Sequence, residues 1–246
     1  MKLNVKRDGY MISGELLKPE GETGRLPLVI MSHGFGRNRG DERPYAQSVL
    51  EKGIAVYIYD FIGGGPDIKS DGDMTEMSVL TEAQDLMAVV DAMVVRDDID
   101  PQNIILLGTS QGGFVSAYVA AKLSRDIRGL ILLYPAFVLQ DDCRDRHPDG
   151  NYPAKDKIMG LTVGRVYYED ATSFDIFDVI TNYRKDTLII HGDADVIAPL
   201  SYSYRAQAAL AKCMVQVLPG AGHGFEDEDL DEACALIGNF LDDVLQ

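Results

Sequence analysis

The stretch IILLGTSQGGF, residues 104–114, constrains the fold more than any other part of the chain. Four apolar residues run straight into Gly108-Thr109-Ser110-Gln111-Gly112-Gly113, and a run rich in small residues continues to about 124. The apolar run has the length of a buried strand and the following run reads as a helix. A serine between them, with a glycine two positions away on either side, reads as a nucleophile on a sharp strand-to-helix turn. The glycines have a mechanical purpose there. The serine must be held in a strained conformation, and side chains at the neighbouring positions would strike the adjacent strand and helix. Such a turn points the N–H of Gln111 at the space above Ser110, where a helix N-terminus favours developing negative charge.

The same strand-then-loop rhythm recurs along the chain. LNVKRDGYMISGELLKP reads as a hairpin turning at Asp8-Gly9. LPLVIMSHGFG (26–36) is a short buried strand ending in a glycine loop, 44–53 a helix stopped by Gly53, and IAVYIYD (54–60) a β-branched and aromatic strand. From Thr75 to Arg96 the pattern is helical, with Val79, Ala83, Leu86, Val90 and Met93 at spacings of three and four. GLILLYP, TLIIH and the run from Val215 add strands, with helices expected at 201–212 and at the C-terminus. Strands alternating with helices imply an α/β fold, a mostly parallel sheet with helices on both faces, whose active groups gather at the carboxyl ends of the strands. Residues 136–181 break the rhythm: LQDDCRDRHPDGNYPAKDK holds no obvious core segment. They read as an inserted cap on a single domain spanning 1–246, because unstructured insertions of this length are uncommon.

A serine nucleophile needs a base, and the chain has four histidines. His33 lies in an early strand-end loop, His147 in the charged insertion, and His191 at the end of an apolar strand. His223, in GAGHGF between the last strand and the last helix, is flanked by glycines that leave it accessible and is the expected base. The base needs an orienting carboxylate. HGDADVIAP offers Asp193 and Asp195; both cannot face one imidazole, and Asp195 is chosen, with Asp193 left as a turn or capping residue. The order Ser, Asp, His is that of α/β-hydrolases.

HGFG, DFIGGG, GTSQGG, HGDADVIAP and GAGHGF resemble, in order and at the expected strand ends, the motifs of the α/β-hydrolase superfamily. The resemblance implies the acid at Asp195, and an oxyanion hole made by the backbone N–H groups of Phe35 and Gln111. It narrows further: the hairpin, HGF, the SQGG elbow and an insertion containing YPAFVLQDD and LTVGRVYYEDA look like those of bacterial cinnamoyl or feruloyl esterases. That resemblance implies a cap that binds an aromatic acyl group, with Asp142 accepting from a phenolic hydroxyl and Tyr167 lining the pocket. Thr109 departs from it, since many of these esterases carry histidine there. The expected activity is serine carboxylester hydrolysis, with hydroxycinnamic esters as substrates and no metal or organic cofactor. The alternatives are a short-chain acyl esterase, a monoacylglycerol lipase or thioesterase, a serine peptidase, and a non-catalytic binding protein.

Composition limits the partners. A net charge of −16 argues against nucleic acid and anionic membrane surfaces. No run approaches the roughly 18 apolar residues of a membrane span. Three scattered cysteines without CxxC spacing, and an N-terminus without an apolar signal segment, fit a cytoplasmic protein. The partner expected is a small-molecule ester; a homodimer through the edge of the N-terminal hairpin is a further expectation.

Overall fold

A computed structural model describes residues 1–22 and 24–246. The chain opens with the hairpin β1 (Val5–Arg7) and β2 (Tyr10–Ile12), antiparallel about Asp8-Gly9, whose φ angles of 49° and 89° suit a tight turn. Then follow β3 (Gly14–Leu17), β4 (Leu26–Ser32), α1 (Arg43–Leu50), β5 (Ala55–Tyr59), α2 (Val79–Val94), β6 (Ile99–Thr109), α3 (Ser110–Lys122) and β7 (Ile127–Leu133). After an insert come β10 (Thr187–Gly192), α7 (Leu200–Ala209), β11 (Cys213–Leu218) and α8 (Asp227–Val244). The insert itself carries α4 (Leu139–Arg146), β8 (Lys155–Ile158), β9 (Leu161–Gly164), α5 (Arg165–Thr172) and α6 (Ile176–Ile180).

Seven strands form the central sheet in the order β11-β10-β7-β6-β4-β5-β3, all parallel except β3, which runs antiparallel to β5. Both faces are covered, so the strands are near-continuous apolar runs rather than alternating ones. In β4, Leu28 and Ile30 join the core beneath α2 and α3, while Val29 and Met31 join the core beneath α1 and α8. The parallel strands end together at one rim, and the loops carrying His33, Ser110, Asp195 and His223 converge there.

Two elements differ from the sequence expectation. Helix α2 starts at Val79, four residues later than its periodicity suggests. Ser78 caps it: its hydroxyl accepts from the Thr81 N–H at 3.1 Å, and the Thr81 hydroxyl accepts from the Ser78 N–H at 2.8 Å. The insert, read as lacking a core segment, has one. Leu139, Cys143, Tyr168, Ala171, Ile176 and Ile180 are buried. Polar side chains knit it, which is why its composition hides it. The Gln140 amide donates to the carbonyls of Ala171 (2.7 Å) and Phe174 (2.8 Å) and accepts from the Ile176 N–H (2.9 Å), pinning α4 to the segment around α5 and α6.

Candidate active site

Ser110 sits at the junction of β6 and α3 with φ 49°, a conformation that L-residues rarely adopt. The glycines beside it leave no room for side chains. A Cβ on Gly108 would collide with the Gly112 carbonyl, and one on Gly112 with the carbonyls of Ser32 and His33. The elbow is therefore clamped between its own strand, its own helix and β4. The Ser110 carbonyl also accepts from the Ala136 N–H at 2.9 Å, tying the loop after β7 to the elbow.

Nε2 of His223 lies 2.9 Å from the Ser110 hydroxyl oxygen, and Nδ1 lies 2.8 Å from Asp195 Oδ2. The N–H on Nδ1 donates to the carboxylate, which leaves Nε2 as the acceptor for the serine hydroxyl. Asp195 Oδ1 accepts from the N–H groups of Ile197 and Ala198, both at 2.8 Å. Burial by itself would raise its pKa, but the Ala198 N–H and His223 outweigh that and hold the carboxyl below its ordinary value. Asp193 turns away and accepts from the Gly220 N–H at 2.7 Å, joining the two loops that present Asp195 and His223. The tyrosine after β7, Tyr134, has φ 38° and lies edge-on to the His223 ring at 5.0 Å between centroids.

The other histidines hold structure. His33 donates from Nδ1 to the Gly34 carbonyl (2.8 Å) and accepts at Nε2 from the Phe61 N–H (3.1 Å), bracing the loop that carries Phe35. Burial lowers its pKa, consistent with this neutral tautomer. His191 donates from Nε2 to the Ala198 carbonyl (2.7 Å), accepts at Nδ1 from the Ser203 hydroxyl (2.7 Å), and lies 3.1 Å from Asp195 Oδ2. It fixes the loop that presents Asp195. His147 stays in the insert, 3.2 Å from Asp156. Asp60, another strand-end group, accepts from the N–H groups of Arg39 (2.9 Å) and Lys69 (2.7 Å).

Phe35 and Gln111 flank Ser110 on the wall of a cavity of about 690 Å³. The Gln111 N–H lies in the first turn of α3, where amide donors have no intrahelical partner. Among the described residues the Phe35 N–H has no partner either. Tyr167 and Asp142, carried by α5 and α4 of the insert, line the same cavity. Among the described residues the Asp142 carboxylate has no protein hydrogen-bond partner, and burial beside Asp145 raises its pKa. Tyr167 is fully engaged: its hydroxyl donates to Gln111 Oε1 at 2.9 Å and its ring lies edge-on to Phe35 at 5.7 Å.

Two buried carboxyls beside the elbow escaped the sequence reading. Glu82 accepts from the Gln111 amide at 2.9 Å, and Glu42 accepts from the Thr109 hydroxyl at 2.9 Å, so an acid braces each neighbour of Ser110. Burial pushes both up to about 8, leaving them protonated at neutral pH. Glu82 was signalled by its place on the apolar stripe of α2, between Val79 and Ala83. Glu42, in the charged run RGDERP, carried no such signal. Among the described residues no cluster of three or more His, Cys, Asp or Glu could hold a metal ion, and no helix is long and apolar enough to cross a membrane.

A parallel sheet with a serine at a strained elbow, joined to histidine and aspartate from later strand ends, defines an α/β hydrolase. The chain belongs to the hydrolase family whose sequence model is described as serine aminopeptidase, S33, which matches residues 25–175. Its fold is similar to that of Est1E from Butyrivibrio proteoclasticus, solved with ferulic acid bound: the TM-score is 0.92, the identity 26%, and 99% of each chain is covered. It is 30% identical over 132 residues to the monoglyceride lipase of Rattus norvegicus, covering 53% of this chain and 41% of that one. It is also 34% identical over 96 residues to an uncharacterized 31.7 kDa protein of Escherichia coli, covering 39% and 32%. The chain thus spans less than half the length of these two curated relatives.

Proposed function

We propose that the protein is a serine carboxylesterase that hydrolyses esters of hydroxycinnamic, ferulic-type acids. The observation that carries the chemistry is the continuous line from Ser110 through His223 to Asp195, with hydrogen bonds of 2.9 and 2.8 Å. Ser110 attacks the ester carbonyl while Nε2 of His223 takes its proton. Asp195 holds the imidazole's tautomer and stabilises the imidazolium. The N–H groups of Phe35 and Gln111 receive the oxyanion, a contribution of about 3 kcal/mol for each donor of this kind. The alcohol leaves with the proton from His223, and water, deprotonated by the same nitrogen, releases the acid. No metal or organic cofactor takes part in this sequence.

The acyl assignment rests on the larger cavity. It offers aromatic walls at Phe35 and Tyr167 and, among the described residues, a carboxylate without a protein partner at Asp142, which suits a phenol-bearing aromatic acid. Likeness to Est1E, solved with ferulic acid, supports the same reading. A second reading, a monoacylglycerol lipase, is favoured by the similarity to the rat monoglyceride lipase.

The test compares kcat/KM for methyl ferulate with that for p-nitrophenyl butyrate, with Ser110→Ala as the blank. A strong preference for ferulate that disappears in Ser110→Ala is expected. Preference for butyrate, or for a monoacylglycerol, leaves the nucleophile standing and discards the hydroxycinnamic assignment. Turnover of neither, together with no labelling by a fluorophosphonate probe, discards the hydrolase mechanism itself.

A further inference from the structure

Ser110 borders two cavities, and they differ in one respect that assigns them. The cavity of about 690 Å³ beneath the insert is not lined by His223. A smaller one, about 280 Å³, is lined by Ser110, His223, Gly34, Thr109 and Tyr134. In the reaction proposed above, on which this inference rests, the leaving oxygen takes its proton from Nε2 of His223. The alcohol therefore occupies the side that His223 lines. That side continues, past the shared walls Arg37, Asp41 and Tyr134, into a cleft of about 610 Å³ that ends at Glu226 and Asp229.

Two independent features describe the alcohol that fits. The first is Glu42, which lines the smaller cavity. Its residue is 0% exposed and its Oε1 is taken by Thr109, but among the described residues Oε2 has no protein partner. A buried carboxyl oxygen left without a partner is unfavourable in the folded protein. A hydroxyl seated at the cavity floor removes that cost and an alkyl chain cannot. The second is charge. The cation at the entrance, Arg37, is already paired with Asp41 at 2.7 Å. Among the described residues Glu226 and Asp229 have no ion pair. An anionic alcohol would meet two uncompensated carboxylates, softened only by the helix N-terminus they flank.

We propose that the His223 side of Ser110 is a leaving-group site for an uncharged alcohol bearing a second hydroxyl, recognised by Glu42, and that Glu226 and Asp229 turn anionic alcohols away. The test uses one acid, ferulic acid, esterified to ethanol, ethylene glycol, glycolic acid and choline. In the wild type, kcat/KM for the 2-hydroxyethyl ester should exceed that for the ethyl ester about tenfold, the worth of one good hydrogen bond. The carboxymethyl ester should fall below the ethyl ester at low ionic strength and recover as salt screens the carboxylates. Glu42→Met should collapse the hydroxyethyl-to-ethyl ratio towards one, and Glu42→Gln should retain part of it. Glu226→Gln combined with Asp229→Asn should raise the carboxymethyl-to-ethyl ratio. Equal rates for the hydroxyethyl and ethyl esters in the wild type overturn the proposal, as does a ratio that survives Glu42→Met in a protein with a cooperative melt. If Glu42→Met does not fold, the wild-type ratios and Glu42→Gln decide. A choline ester preferred over the hydroxyethyl ester makes charge, not the hydroxyl, the selecting property and overturns the role of Glu42. Ethyl ferulate turned over without discrimination sinks this proposal alone, whereas no turnover of any ester sinks the esterase reading beneath it.

Discussion

The nucleophile elbow and the insert meet at the same pocket, yet they are held in place by different means. At the elbow the backbone does the positioning. Gly108 and Gly112 have no space for a Cβ, and Ser110 takes φ 49° because strand, helix and β4 close on it from three sides. In the insert, side chains do it: Gln140 joins α4 to the α5–α6 segment, Tyr168 donates to Asp156 at 2.6 Å, and Tyr167 reaches Gln111. A region set by steric exclusion tolerates few sequences and is legible as a motif. A region set by pairwise hydrogen bonds can be rebuilt with many residue combinations, so the same scaffold can acquire new pockets without disturbing its chemistry.

That contrast can be broken at the aspartates first. Asp195→Asn should lower kcat/KM about 10⁴-fold, because the amide presents the wrong partner to Nδ1 of His223. Asp193→Asn, two residues away, keeps an acceptor for the Gly220 N–H and should stay within a few fold of wild type. Equal losses from the two substitutions would remove the distinction drawn between them.

Glycine substitutions come next. Gly112→Ala should destabilise by about 3 kcal/mol, since the new methyl meets backbone carbonyls that cannot move aside. Gly160→Ala, at the insert turn with φ 84° and open space around it, should cost about 1 kcal/mol from conformation alone. Urea unfolding of the pair measures the difference; similar costs would mean that the elbow is not sterically clamped.

Loosening the insert should separate binding from chemistry. Gln140→Leu strips partners from the Ile176 N–H and two carbonyls, a loss of about 1–3 kcal/mol. Turnover of a bulky aromatic ester should fall while fluorophosphonate labelling of Ser110 persists. Loss of labelling would show that the insert supports the elbow as well as the pocket.

The last comparison concerns the two acids beside Ser110 and is read as a slope against pH. Glu42 and Glu82 titrate near 8 in the folded protein, against 4.5 for an ordinary glutamate. The folded state therefore holds these protons more tightly than the unfolded chain. Their contribution is complete below about pH 4.5 and drains away as pH rises towards 8. Glu42→Gln or Glu82→Gln should each remove up to about 1.4 kcal/mol per pH unit from the fall in unfolding free energy across that window. Unchanged slopes in both variants would mean that the carboxyls are ionised in the folded protein.

How much of the site could be read in advance follows the same division. Ser110, Asp195 and His223 were legible because each ends an apolar strand in a glycine-bearing loop, and in a parallel sheet such ends share one rim. His33 and His191 lie away from the Ser110 hydroxyl, and their bracing of the Phe35 and Asp195 loops depends on Phe61 and Ser203, which no local pattern links to them. The insert was recognisable as an interruption, while its core was hidden because Gln140 and Tyr168 make it with polar atoms.

What the sequence by itself determined is the parallel sheet, the elbow and the chain order of the serine, aspartate and histidine that meet at the rim. These depend on periodicity, glycine placement and chain order, which are properties of the string. What only the tertiary structure decided is which groups surround them: the engagement of Tyr167 with Gln111, the acids bracing Thr109 and Gln111, and the division of space around Ser110 into two cavities. Those depend on distances between residues 29 to 67 positions apart in the chain, and a buried polar atom chooses its partner by proximity in space.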